Sequence, residues 1–235
     1  SLKWMLDARI PGFAHTMLPS RGYSIDAKLD YEWNQFMDGF GFDEEYSTYQ
    51  PVFHPNNTFR FALNAAKHWT FSKRHKIVGS LSTKIEVISE QDIDDFFHFF
   101  GGGLTGMKGY TFYDSTLTGP NLFINTAVIR FPLFMEKNYS IGHMTFQNCS
   151  IGLVGQLGDG FDSGIVATAQ SNNLPTISWD WIENKECKFS TGLEFRLSGF
   201  SFYAYPTAIS YEYHVPLWDE LESTGKHYFT VLFDF

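Results

Sequence analysis

Apolar and polar residues alternate with a period of two along most of the chain, in segments of about ten residues divided by turn residues. In segment 2–10 the even positions Leu2, Trp4, Leu6, Ala8 and Ile10 are apolar, and Lys3, Asp7 and Arg9 fall between them. Ile25, Ala27, Leu29, Tyr31 and Trp33 alternate with Asp26, Lys28, Asp30, Glu32 and Asn34. Phe59, Phe61, Leu63, Ala65, Trp69 and Phe71 alternate with Arg60, Asn64, His68 and Thr70; Lys67 is the exception. Ile77, Leu81, Ile85 and Val87 oppose Lys76, Ser80, Ser82, Lys84 and Glu86. Three later segments repeat the theme: Phe189 to Leu197 against Lys188 to Arg196, Ile209 to Val215 against Ser210 to His214, and Phe229 to Phe235 against Tyr228 to Asp234. Stretches 121–132 and 141–156 read as strands with weaker alternation. The pattern predicts nine strands and no helix.

Alternation alone also fits a soluble sandwich. Three features point instead to a transmembrane β-barrel. The strands approach the 9–11 residues that a tilted strand needs to cross a bilayer, roughly. The polar face carries full charges in nearly every strand, as a water-filled lumen allows and a packed core does not. Tyr and Trp gather toward strand ends (Trp4, Tyr31, Trp33, Trp69, Tyr211, Tyr213), where an interfacial girdle sits. Connections alternate between tight (72–75, 135–139, 199–202) and long (39–57, 89–119, 156–186), as in outer-membrane barrels with short inner turns. A soluble all-β domain with a phenylalanine-rich core is the competing architecture.

Composition sharpens this. The 235 residues include 25 Phe, 12 Tyr and 6 Trp, and aromatics make up 18% of the chain, which excludes disorder. A net charge of −9 argues against nucleic acid as a partner. The longest stretch free of Asp, Glu, Lys and Arg, 138–158, holds too many amides and hydroxyls for a helix in hydrocarbon. Two cysteines exclude a disulfide-dense scaffold and show no zinc spacing. Cys149 and Cys187 fall at different depths on consecutive strands, so both are expected as free thiols. No cofactor and no enzymatic chemistry are expected. Gly160-Phe161-Asp162-Ser163-Gly164 lacks the setting of a catalytic serine, and Asp43–Glu45 and Asp92–Asp95 read as solvated acidic runs before they read as cation sites.

Several motifs, in order, carry a resemblance. Phe96–Tyr110 reads FFHFFGGGLTGMKGY: a phenylalanine-rich lead-in, a glycine cluster and the tetrad Met107-Lys108-Gly109-Tyr110. Leu18–Tyr23 precedes it, and Arg130-Phe131-Pro132-Leu133, Phe146–Ser150 and Gly192–Leu197 follow. This series resembles the BamA-like bacterial surface antigen superfamily of outer-membrane assembly and translocation barrels. The resemblance implies one domain over 1–235, the last nine strands of a sixteen-strand barrel, with a lid loop at 90–119 folded into the lumen. The start at Ser-Leu-Lys fits an excised piece. Similar barrels are fused behind TolB-like propellers or patatin-like domains. The implied role is insertion or translocation of proteins at the bacterial outer membrane, with a passive barrel anchor or structural subunit as the alternative. Implied partners are outer-membrane lipid, lipopolysaccharide, the barrel assembly machinery, client proteins and a lipoprotein. Phe229, Val231, Phe233 and Phe235 look like the closing β-signal.

The family's lid tetrad is V-R-G-Y/F, and its arginine pairs with carboxylates on neighbouring strands. Here Lys108 stands for the arginine, and Val128 and Asn148 occupy both carboxylate positions. A lysine loses the bidentate fork. The loop is nevertheless expected to fold inward, held by Lys108 on Asn148 or on a lumenal acid, Glu86 or Glu194.

Overall fold

The computed structural model describes residues 1–10, 19–43, 45–89, 95–161, 187–202, 205–217 and 224–233. Among these lie twelve strands: β1 Leu2–Asp7, β2 Gly22–Asp43, β3 Thr48–Ser72, β4 Ile77–Ile88, β5 Phe99–Phe100, β6 Thr118–Gly119, β7 Asn121–Phe134, β8 Tyr139–Ile141, β9 Met144–Phe161, β10 Lys188–Ser201, β11 Tyr205–Leu217 and β12 Lys226–Phe233. Nine of them form one antiparallel meander in the order β1-β2-β3-β4-β7-β9-β10-β11-β12. Each of the nine overlaps a segment that the alternation predicts as a strand. Short β8 folds back on the start of β9, and β5 and β6 pair apart from the main sheet. The edges offered by β1 and β12 have no strand partner among the described residues, and the described sheet does not close on itself. No described helix is long and apolar enough to cross a membrane, which says nothing of strands.

The distribution of side chains decides between the two architectures. Phe59 is 50% exposed, Leu153 51% and Phe229 67%, whereas Glu194 is 3% exposed and Glu212 6%. A soluble sandwich would reverse those figures, because a buried unpaired charge costs far more than an exposed ring gains. Across the main sheet the outward face is largely apolar, with Lys67 toward the short-turn end as a charged exception, and the inward face carries Asp26, Asp30, Lys84, Glu86, Arg130, Glu194 and Glu212, mostly in ion pairs. This is the inside-out arrangement of an outer-membrane β-barrel.

β7 and β9 alternate weakly in sequence for a reason that the structure supplies. The inward residues Leu122 and Ile124 are apolar yet buried, next to Gly101 and Met107 of the following loop, so protein rather than water covers that part of the inward face; Val128 and Val154 are buried too. Three expected boundaries move. The long loop expected at 39–57 is strand up to Asp43 and again from Thr48, with a bulge between Met37 and Gly39. The tight turn expected at 135–139 gives way to the β8 hairpin, which turns at Gly142 (φ 59°). β9 also runs on to Phe161, into the loop expected from 156. The Asp92–Asp94 and Asp162–Gly164 positions, the rest of the 156–186 loop and Phe235 lie outside the described residues.

Candidate functional site: a loop seated on the inward face

The loop between β4 and β7 leaves the sheet at Ile88 and returns at Asn121. Its lead-in is fixed from β3, where Arg60 donates to the Phe97 carbonyl at 2.9 Å and lies over the Phe99 ring at 5.7 Å. The glycine cluster then lets the chain fold on itself. A Cβ on Gly102 would collide with the Thr111 carbonyl oxygen, so only glycine permits that approach. The Met107 amide donates to the Gly101 carbonyl at 2.6 Å, and Gly101 N donates to Leu117 O at 2.7 Å. Asp114 caps the 3-10 turn Ser115–Leu117 by accepting from Thr116 N and Leu117 N. The loop thus has its own small core of Met107, Tyr110 and Leu117, all buried.

The tetrad rests on the last four strands of the meander. The Lys108 amide donates to Gln156 Oε1 on β9 at 2.8 Å, and Gln156 Nε2 reaches Gly106 O and Thr126 Oγ1. The Tyr110 hydroxyl donates to the Phe189 carbonyl on β10 at 2.7 Å, with Lys188 Nζ 5.6 Å from its ring centroid. Lys108 Nζ donates to Glu212 Oε2 on β11 at 2.5 Å. The Gly109 amide donates to the Tyr228 hydroxyl on β12 at 2.9 Å; Gly109 takes φ 99°, which a side chain would strain. One short segment therefore bonds to β9, β10, β11 and β12 together.

The expected inward fold of Lys108 onto a lumenal acid is present, but the acid is Glu212. Asn148 lies eight residues down β9 from Gln156, about 26 Å at a strand's rise, where its Oδ1 accepts from Glu136 N. Glu86 is paired with Lys84 at 2.8 Å. Glu194 is held by Arg130 Nε at 2.9 Å and by Arg196 at 2.7 Å. Each expected partner is thus out of reach or already engaged. Glu194 and Glu212 are direct cross-strand neighbours, an arrangement that like charges disfavour. Arg130 and Arg196 compensate the first and Lys108 the second, with His214 Nε2 3.0 Å from Glu212. Among the β-signal residues, Phe229 and Val231 point outward and are exposed.

Sequence reading missed Gln156, Glu212, His214 and Tyr228 as lid contacts. One signal was present. Tyr228 is the aromatic residue of β12 on the water-facing parity, opposite Glu212, where a lipid-facing strand has no use for a ring. Cys149 is a buried free thiol, as expected.

The profile of the Omp85 superfamily domain matches residues 13–199. The chain belongs to the Omp85 superfamily. Members of that superfamily are bacterial outer-membrane barrels concerned with protein insertion and translocation, and they act in outer-membrane assembly complexes. No curated protein and no solved structure matches the chain. The matched span of this Omp85 domain contains the loop motif, Arg130 and Glu194, whereas Glu212 and Tyr228 lie beyond it.

Proposed function

We propose that this Omp85 chain serves, in the bacterial outer membrane, as the barrel of a machine that inserts or translocates client proteins, with the 90–119 segment as its lid. The observation that carries this reading is the seating of Met107–Tyr110 across β9 to β12, with Lys108 on Glu212 and Gly109 on Tyr228. A segment bonded to the terminal strand couples the contents of the lumen to the edge of β12. In a barrel closed by an imperfect pairing of its last strand with its first, that edge is where a client strand adds by β-augmentation. No bond-making chemistry is required of the side chains. The barrel assembly machinery reads the closing strand around Phe229 and Val231, and lipopolysaccharide and a lipoprotein complete the setting.

Passive anchoring is the second reading, favoured by Val128 and Asn148 at both positions where the resembled family carries carboxylates. Lys108→Ala in the outer membrane separates the two. A translocating barrel gains conductance or loses client delivery when its lid is released. An anchor keeps its partner and shows neither change, and that result would sink the transport reading.

A further inference from the structure

The β2–β3 hairpin outruns the sheet. β1 covers β2 only from Ser24 to Leu29, and β4 covers β3 only down to Arg60. Beyond those points residues 34–43 and 48–57 pair with each other alone among the described residues, through Asp43↔Thr48. Ten residues of strand make a ribbon about 30 Å long. It projects from the end of the sheet opposite the short turns at Ser72–Ile77 and Ser201–Tyr205, the outer end of such a barrel.

Its two faces differ. Tyr31 and Phe59 share the outward, lipid-side face, with rings 4.8 Å apart, and Trp33, Met37 and Phe53 continue it. A strict alternation would then send Phe40 and Phe42 to the opposite face. The bulge between Met37 and Gly39 reverses the parity of β2, so Phe42 packs against Tyr49 at 5.4 Å on the outward side. No described outward strand position from Trp33 to Asn57 is charged, while Asp30, Glu32 and Asp43 fall on the inward side. Phe40 is 66% exposed and Tyr49 69%. A two-stranded ribbon is marginal by itself, and an exposed aromatic face of this length calls for a cover.

We infer that the outward face of the β2–β3 ribbon is a docking surface for the sugar-bearing headgroups of outer-leaflet glycolipid. The inference rests on the outer-membrane reading above. Continuity identifies the occupant: the same face of the same two strands meets acyl chains lower down, so what lies directly above those chains is what the ribbon meets. Flat aromatic rings stack on the C–H faces of sugars, as interfacial Tyr and Trp do at the headgroup level. An outward face with no charge at its described paired positions suits those rings and not the ionic clamping of a phosphate.

The test is photo-crosslinking in the bacterial outer membrane, with p-benzoylphenylalanine replacing Phe40, Phe53, Gln50 or Leu153 in turn in the full chain. Positions 40 and 53 are expected to give adducts that stain for lipopolysaccharide. Position 50, on the inward face, is expected to give none. Position 153, on the lipid face of β9, is expected to give lipid adducts and reports on the membrane reading itself. Lipid adducts at 153 with protein adducts, adducts to a second copy, or no adducts at 40 and 53 would overturn the glycolipid surface alone. Loss of lipid adducts at 153 would overturn the reading beneath it.

Discussion

Glu212 has two cationic or protonatable neighbours and a carboxylate directly across from it, so its environment depends on Lys108 more than an ordinary ion pair would. Lys108 is 19% exposed and Glu212 8% at the side chain. Removing the ammonium leaves a sheltered carboxylate next to Glu194. Lys108→Ala is therefore expected to cost about 2–3 kcal/mol, below the value for a fully dry pair because lumenal water reaches the site. Lys108→Arg, which keeps the charge, is expected to restore most of it. Unfolding of the lipid-embedded barrel, read by its gel mobility against temperature, checks both. Equal stability of the alanine variant and the parent would refute the latch. Tyr228→Phe is a milder probe that deletes one hydroxyl and so one bond to Gly109. It is expected to cost about 1 kcal/mol and to speed hydrogen exchange at the Gly109 amide while leaving that of Met107 slow. At this scale the sequence was half legible. The loop motif and its cation could be read, but their partner could not, because Glu212 lies 104 residues away and register alone brings the two together.

At the scale of elements, alternation was a reliable guide wherever a strand separates lipid from water, as in β1, β4 and β11. It weakened in β7 and β9, which floor the loop: there Leu122 and Ile124 lie under protein, so both faces of β7 accept apolar residues. It misplaced the ends of β2 and β3, because a bulge resets parity and a window of fixed period reads the reset as a break. That bulge allows a direct test. Deleting Asp38 and Gly39 together removes the bulge and one further residue, so that strict alternation from Met37 turns Phe40 and Phe42 to the inward side, away from Tyr49. The deletion is expected to abolish protection of the ribbon from chymotrypsin in membranes, with the barrel itself still resistant. An unchanged digestion pattern would show that the parity reversal has no consequence. The glycine cluster gives a second case. Gly102→Ala puts a methyl group into the Thr111 carbonyl, and the loop cannot close around Met107 without shifting.

The stability of the whole molecule turns on which solvent touches which face, and substitution by charge measures that directly. Leu153 sits on β9 with Ile129 and Leu193 as its cross-strand neighbours, all outward and exposed. Ser82 sits on the inward face of β4, beside Ala66 and Thr126, and lines a cavity of about 360 Å³ that also holds Asp26, Asn64 and Lys84. In a soluble protein of this sheet, Leu153→Arg would be the harmless change, since an exposed arginine is ordinary. In a bilayer the ranking inverts. Leu153→Arg then takes a guanidinium into hydrocarbon near the middle of a long strand, at about 2–4 kcal/mol. Ser82→Arg places the same group in a wet cavity with Asp26 nearby and is expected to change stability by well under 1 kcal/mol. Folding of both variants into lipid vesicles, followed by denaturant titration, gives the two values side by side. A larger loss at Ser82 than at Leu153 would mean that the apolar face does not meet lipid, and the lid, the terminal edge and the ribbon would all need a different explanation.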